Sequence, residues 1–192
     1  MSTEKNNSSK MWLIIGAVVV VLAMWGIGSY NGLVTMGAAA DNAWAQVENN
    51  LQRRSDLIPN LVETVKGYAN HEEEVFTAIA DARAKLAGAT TVDETTAAAS
   101  EMEGALSRLL AISENYPELK SNENFMKLQD ELAGTENRLA TARKDYNDAV
   151  TAYNVKIRSI PTNIIAGLMG AQAKSLFTIT EAAAANPQVS FQ

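Results

Sequence analysis

The chain has 192 residues, enough for one ordinary domain and an appendage, with no cysteine, one histidine and a formal charge of −6. The missing cysteines exclude disulfides, thiolate catalysis and cysteine lipidation, and His71 alone leaves little material for zinc or a serine–histidine pair. An acidic body without a basic stripe argues against nucleic acid as a partner, because phosphate binding needs clustered Lys and Arg.

The charge is uneven. Lys5, Lys10 and Glu4 give the first 28 residues a net +1, so the remainder carries −7. Alanine is abundant, glycine and proline are sparse, and β-branched runs are rare after residue 28, a composition that favours helix. The fold class expected is all-α: a single N-terminal transmembrane helix followed by an antiparallel bundle of three to four long helices.

Met11 to Gly28 contains no charged residue. At 1.5 Å per residue it spans roughly 27 Å, about the thickness of a hydrocarbon core. Trp12 and Trp25 lie near its two ends and Tyr30 just beyond, where interfacial aromatics belong. A cleaved signal peptide would have an apolar core of only about 7–15 residues and a small-residue site close behind it. Here the nearest such site, Ala38-Ala39-Ala40, begins ten residues past the apolar run, so the segment reads as a retained anchor. Lys5 and Lys10 precede the span and the first basic residue after it is Arg53. The positive-inside rule then puts residues 1–10 in the cytoplasm and the body on the other side.

After the anchor, Trp44 to Leu86 reads as one helix. Apolar or small residues recur at Trp44, Val47, Leu51, Ile58, Leu61, Val65, Tyr68, Val75, Ile79, Ala82 and Leu86, in steps of three, four and seven. Pro59 either kinks this helix or lies in the first turn of a new one capped by Asp56, and the unbroken apolar phase favours a kinked continuous helix. Ala87 to Val92 is a turn, with Gly88 as terminator and Thr91 or Asp93 as the next cap. A second helix follows from about Asp93 to Asn115, with Met102, Leu106, Leu109 and Leu110 apolar, and Tyr116-Pro117 ends it. Ser121 opens a capping-box-like start over residues 121–124.

The third helix, Asn122 to Ser159, has the clearest seam: Phe125, Leu128, Leu132, Thr135, Leu139, Ala142, Tyr146, Val150, Tyr153, Ile157 and Ile160. Steps of three and four alternate almost throughout, close to the heptad repeat of a coiled coil. Asp130, Glu131 and Glu136 lie toward its start and Lys156 and Arg158 at its end, which suits the helix dipole. Pro161 stops it. An uncharged stretch follows from Thr162 to Ala173, and residues 179–192 read as a disordered tail.

Little of this is catalytic material. His71 begins His-Glu-Glu-Glu-Val, but the second histidine of a zincin helix would fall at position 75, which is Val75. Glu72, Glu73 and Glu74 read as solvated surface. There is no Gly-x-Ser-x-Gly turn and no phosphate-binding glycine loop, so neither enzyme activity nor a cofactor is expected.

Two features draw more notice. Arg54 falls on a seam position, and Thr135, Tyr146 and Tyr153 line the third helix's seam. Buried guanidinium and phenol groups need partners, and a cross-helix network of Arg54 with Glu131 or Glu136 would provide one. The alternative is that Arg54 snorkels out from the seam edge. The second feature is a candidate interaction surface of Ile160, Pro161, Ile164, Ile165, Leu168 and Met169. It either folds back to cap the bundle or meets the membrane, another subunit or a partner. Helix parity decides its position: three helices after the anchor leave it membrane-distal, and four return it to the bilayer.

The segments Tyr30-Asn-Gly-Leu-Val34, Asp41-Asn-Ala-Trp44, Gln52-Arg-Arg-Ser-Asp-Leu-Ile-Pro-Asn-Leu-Val62, Val65-Lys-Gly-Tyr68 and His71-Glu72 resemble the LemA family. So do Tyr116-Pro-Glu-Leu-Lys120, Asn124-Phe125, Leu128-Gln129, Glu131-Leu132, Thr135-Glu-Asn-Arg138, Ala142-Arg143, Tyr146-Asn147, Tyr153-Asn154 and Pro161 to Gly167. The resemblance covers about residues 28–178. The chain departs from it at Gly37-Ala38, where many members carry Arg-Asn. The resemblance implies a transmembrane helix before an antiparallel helical body (residues 29–178) and no catalytic residues; with the orientation set by Lys5 and Lys10, the expectation is a bacterial inner-membrane protein with a periplasmic body. It also implies a role in organising the envelope or intracellular membranes, and some members are encoded near membrane metallopeptidases. The expectation is a non-enzymatic, self-associating scaffold whose partners are the lipid bilayer and its own copies, a homo-oligomer. The alternative is an adaptor or regulatory subunit of a membrane-protein partner such as a metallopeptidase.

Overall fold

The computed structural model describes residues 4–69 and 71–178, with side chains from Lys10 onward. The expected tail, 179–192, lies outside the described residues. All regular structure among the described residues is helical: α1 (Glu4–Lys66), α2 (Glu73–Gly88), α3 (Val92–Ser113), α4 (Pro117–Lys120), α5 (Glu123–Arg158) and α6 (Thr162–Leu168). They divide into two compact units, one of residues up to Asp41 with Ala149–Lys174, the other of Asn42–Asp148 with the residues from Ser175.

In the first unit, α1 is exposed at every residue from Lys10 to Trp25. This apolar, solvent-facing run makes α1 the one helix among the described residues long and apolar enough to cross a membrane. Shielding begins at Gly26 and continues through Ser29, Leu33, Met36 and Ala40, a three-four stripe down one face. Leu33 packs there in a small core with Tyr153, Ile157 and Ala166, flanked by Met36, Ile165 and Ala171.

In the second unit one core draws on every helix that enters it. Ile58, Leu61 and Val65 of α1 join Phe76, Ile79 and Ala82 of α2, and Met102, Leu106 and Leu109 of α3. Leu119 of α4 and Phe125 and Leu132 of α5 complete it. The seam expected for α5 is buried from Phe125 to Ile157, apart from a half-buried Leu128, while Ile160 is exposed.

The single helix expected over 44–86 is two. α1 runs without interruption through Pro59, as the apolar phase implied, but ends at Lys66, with turn residues at 67, 68 and 71 before α2. Gly67 and Asn70 fall within four residues here, a terminating composition that the seam conceals. Val65, Tyr68 and Val75 keep step in sequence, yet Tyr68 is exposed and Val75 half-buried, and the buried residues are Ala69 and Phe76.

The next junction follows the expected chemistry. α2 ends at Gly88, and Thr91 caps α3 in a complete capping box. The Thr91 hydroxyl accepts from the Glu94 amide at 3.2 Å, and Glu94 accepts from the amides of Thr90 at 2.8 Å and Thr91 at 3.1 Å. Those bonds, Thr90's first, hold the Glu94 carboxyl below its ordinary 4.5. Thr91→Ala is expected to lower stability by about 1 kcal/mol, read from thermal unfolding. Because the carboxyl is depressed in the fold, its contribution is present above pH 4.5 and fades as pH falls below it. The difference between wild type and Glu94→Gln should therefore shrink on acidification.

α5 starts one residue later than expected. Asn122, not Ser121, is the cap: its side-chain oxygen accepts from the amides of Asn124 at 2.9 Å and Phe125 at 3.1 Å. The Ser121 hydroxyl instead donates to the Glu118 carbonyl at the end of α4, at 3.0 Å.

Candidate interaction surfaces

Of the residues expected in a polar network at the seam, Arg54 and Glu136 come together in the second unit, while Glu131, Tyr146 and Tyr153 lie outside the pair. Arg54 on α1 pairs with Glu136 on α5, and Arg143, seven residues along α5, pairs with the other Glu136 oxygen at 3.2 Å. Glu131 is exposed and outside this cluster. Both arginine side chains are only 13% exposed, so Arg54 does not snorkel into solvent. Burial pushes both guanidiniums below their usual range, opposed by the nearby Glu103 carboxylate. Arginine stays charged under such a shift. Two cations, Glu136 and Glu103 thus form a largely buried cluster of balanced charge, whose geometry fixes how α1 and α5 face one another in this unit. The Nε atoms of Arg54 and Arg143 make no hydrogen bond among the described residues, so Glu136 carries most of the compensation.

Next to this cluster an extended segment docks. Phe177, 2% exposed, has the Arg143 guanidinium 5.3 Å from its ring centre and Trp44 6.1 Å away on α1. Trp44 in turn tilts against Tyr146 at 5.0 Å. Asn147 grips the backbone of Phe177 with both ends of its amide: it donates to the carbonyl at 2.9 Å and accepts from the N–H at 2.8 Å. The Tyr146 hydroxyl donates to the Ser175 carbonyl at 2.8 Å. The side chains of α5 thereby do for this segment what a neighbouring strand would do, satisfying an unpaired backbone.

The first unit repeats the device seven residues further along α5. Asn154 donates to the Lys174 carbonyl at 2.8 Å and accepts from its N–H at 2.9 Å. The Lys174 ammonium reaches Asp41 at 2.6 Å and lies 5.8 Å from the centre of the Tyr153 ring. Tyr153, foreseen in the polar network, belongs to this small core instead. The Tyr146-Asn147 and Tyr153-Asn154 pairs are among the family-like segments of the sequence, but the segment they grip was not foreseen. Arg143 was missed because the seam position is its neighbour Ala142.

The foreseen surface after Pro161 divides between inside and outside. Thr162 and Ala166 are buried and Ile165 turns toward α1, its Cδ1 within 3.8 Å of a Cβ built on Gly26. Ile160, Ile164 and Leu168 remain 85%, 61% and 81% exposed, with Met169 beside them and Pro161 also exposed. The stretch therefore lies beside α1 at the end of its apolar run.

Comparison with known proteins agrees with these segments. The sequence pattern of the LemA family matches residues 43–191. The chain belongs to the LemA family. Among relatives of this LemA-family chain, Magnetosome protein MamQ 2 of Paramagnetospirillum magneticum is 29% identical over 174 residues, covering 77% of this chain and 64% of the relative. Magnetosome protein MamQ of Magnetospirillum gryphiswaldense is 28% identical, covering 73% and 61%. Protein LemA of Metamycoplasma hominis is 25% identical, covering 81% and 71%. The chain thus spans somewhat less than two thirds of the magnetosome proteins it matches. Family and relatives together point to a membrane-associated, non-catalytic protein.

Proposed function

We propose that this LemA-family chain is a membrane-anchored helical scaffold that self-associates and organises the bacterial envelope or proteins bound to it. The observation that carries this reading is α1, whose fully exposed apolar head continues without interruption into the packed helical body. A continuous helix of this kind tethers the body to a membrane and gives it no reactive group. Its later part, with α2, α3 and α5, makes four segments that we read as an antiparallel bundle. With Lys5 and Lys10 ahead of the span, the N-terminus is cytoplasmic and the body periplasmic, at the inner membrane. Relatives named for the magnetosome support an organising role over turnover of a substrate.

The test is affinity isolation from mildly solubilised membranes containing two differently tagged copies. A scaffold brings down the second tag as its main companion. Recovery of one unrelated membrane protein in fixed proportion, without the second tag, would contradict this reading and favour an adaptor or regulatory subunit, for example of a metallopeptidase.

A further inference from the structure

We infer that the stretch from Ile160 to Ala173 is a second membrane contact, a monotopic foot that lies in the lipid beside the anchor. The inference rests on the reading of α1 as a membrane span and adds a site to it.

Its composition is the first ground. No charged residue occurs between Arg158 and Lys174, fifteen residues in a chain with 38 charged side chains, 16 basic and 22 acidic. The second is exposure. Ile160, Ile164 and Leu168 point outward, while the polar or small Thr162 and Ala166 point in, the inverse of what water selects. The third is position. Ile165 faces α1 at Gly26, inside the uncharged run of residues 11–28, so the stretch lies beside the end of the anchor's apolar run. The fourth is the flank. Lys156 and Arg158 close α5 just before the stretch, placed to reach phosphate headgroups as the chain enters the interface. Within α6 the backbone is hydrogen-bonded, and its ends are tied off by the Ser159, Pro161 and Ala166 carbonyls, as a lipid-facing segment requires.

Lipid is favoured over a second copy because the stretch lies beside α1 where the apolar run of residues 11–28 ends. Burial of exposed Ile and Leu in the interface follows the area they remove from water.

The chain has no cysteine, so single cysteines carrying an environment-sensitive fluorophore report each position cleanly. Full-length protein in lipid nanodiscs would be labelled at Leu168→Cys, with Val20→Cys in the anchor as the lipid reference and Met126→Cys on α5 as the body reference. Nitroxide-bearing lipids are the membrane quencher and iodide the aqueous one. The expected result is nitroxide quenching at 168 comparable to that at 20 and severalfold above that at 126. Iodide quenching at 168 with no lipid quenching overturns the foot but leaves the anchor standing if position 20 is quenched. Shielding of 168 from both quenchers also overturns it, in favour of contact with a second copy. Absence of lipid quenching at position 20 refutes the anchor itself, and the foot with it.

Discussion

Glu136→Ala is expected to lower the stability of the second unit by about 2–3 kcal/mol, the largest loss from any single polar group described. The substitution leaves the Arg54 and Arg143 guanidiniums, each 13% exposed, without their shared carboxylate. Removing one member of a fully buried ion pair costs about 3–5 kcal/mol. Glu136 is 32% exposed, so water reaches the vacated place and the loss falls lower. In thermal unfolding this corresponds to a drop of roughly 4–12 °C in Tm for a domain of this size. The cost lies in stranding the cations, so the double variant Arg54→Met with Glu136→Leu should recover part of it. A double variant no more stable than Glu136→Ala alone would show that the cluster matters through something other than charge compensation.

Phe177→Ala should release the extended segment. Truncating a buried phenylalanine costs about 3–5 kcal/mol when the surrounding structure cannot relax. Here it can relax, because the segment is held by one aromatic anchor and by the amide of Asn147 and the hydroxyl of Tyr146. The global loss is then capped by the free energy of local detachment, and the effect concentrates in the segment itself. Hydrogen exchange at the Phe177 amide is expected to rise by orders of magnitude, while the amides of Leu106 and Leu139 keep their protection. Uniform loss of protection across the unit would mean that the segment is part of the cooperative core. Asn147→Leu should reproduce the effect in milder form, since it keeps the aromatic contacts and removes both backbone bonds.

These two sites show where the sequence was informative. Arg54 stood out because a charged residue occupied a seam position, and the need for a buried partner led to Glu136 as one of two carboxylates on the facing helix. Arg143 carries no such mark, since it lies one step off the seam beside Ala142, and its burial depends on Phe177 closing over it. α5 was legible to within a residue at each end because its three-four alternation continues past Gly134 with no proline between Phe125 and Ile157. The end of α1 at Lys66 was hidden by the same kind of signal, an apolar phase that stays in step through Val65, Tyr68 and Val75. The docked segment could not be read at all: irregular backbone has no periodicity, and its partners are side-chain amides distant in sequence. In the stretch after Pro161 composition marked residues of which Ile160, Ile164 and Leu168 are exposed, but the inward turn of Ile165 toward Gly26 needed three-dimensional placement.

The central claim is that this chain works as a self-associating body on a membrane anchor. The most direct test is the mass of the full-length protein in lipid nanodiscs, measured by mass photometry on a sample also imaged by electron microscopy. The account predicts one defined species of several copies, each held to the disc through its α1 head. A population of single copies, unchanged as the protein-to-lipid ratio is raised, would contradict it.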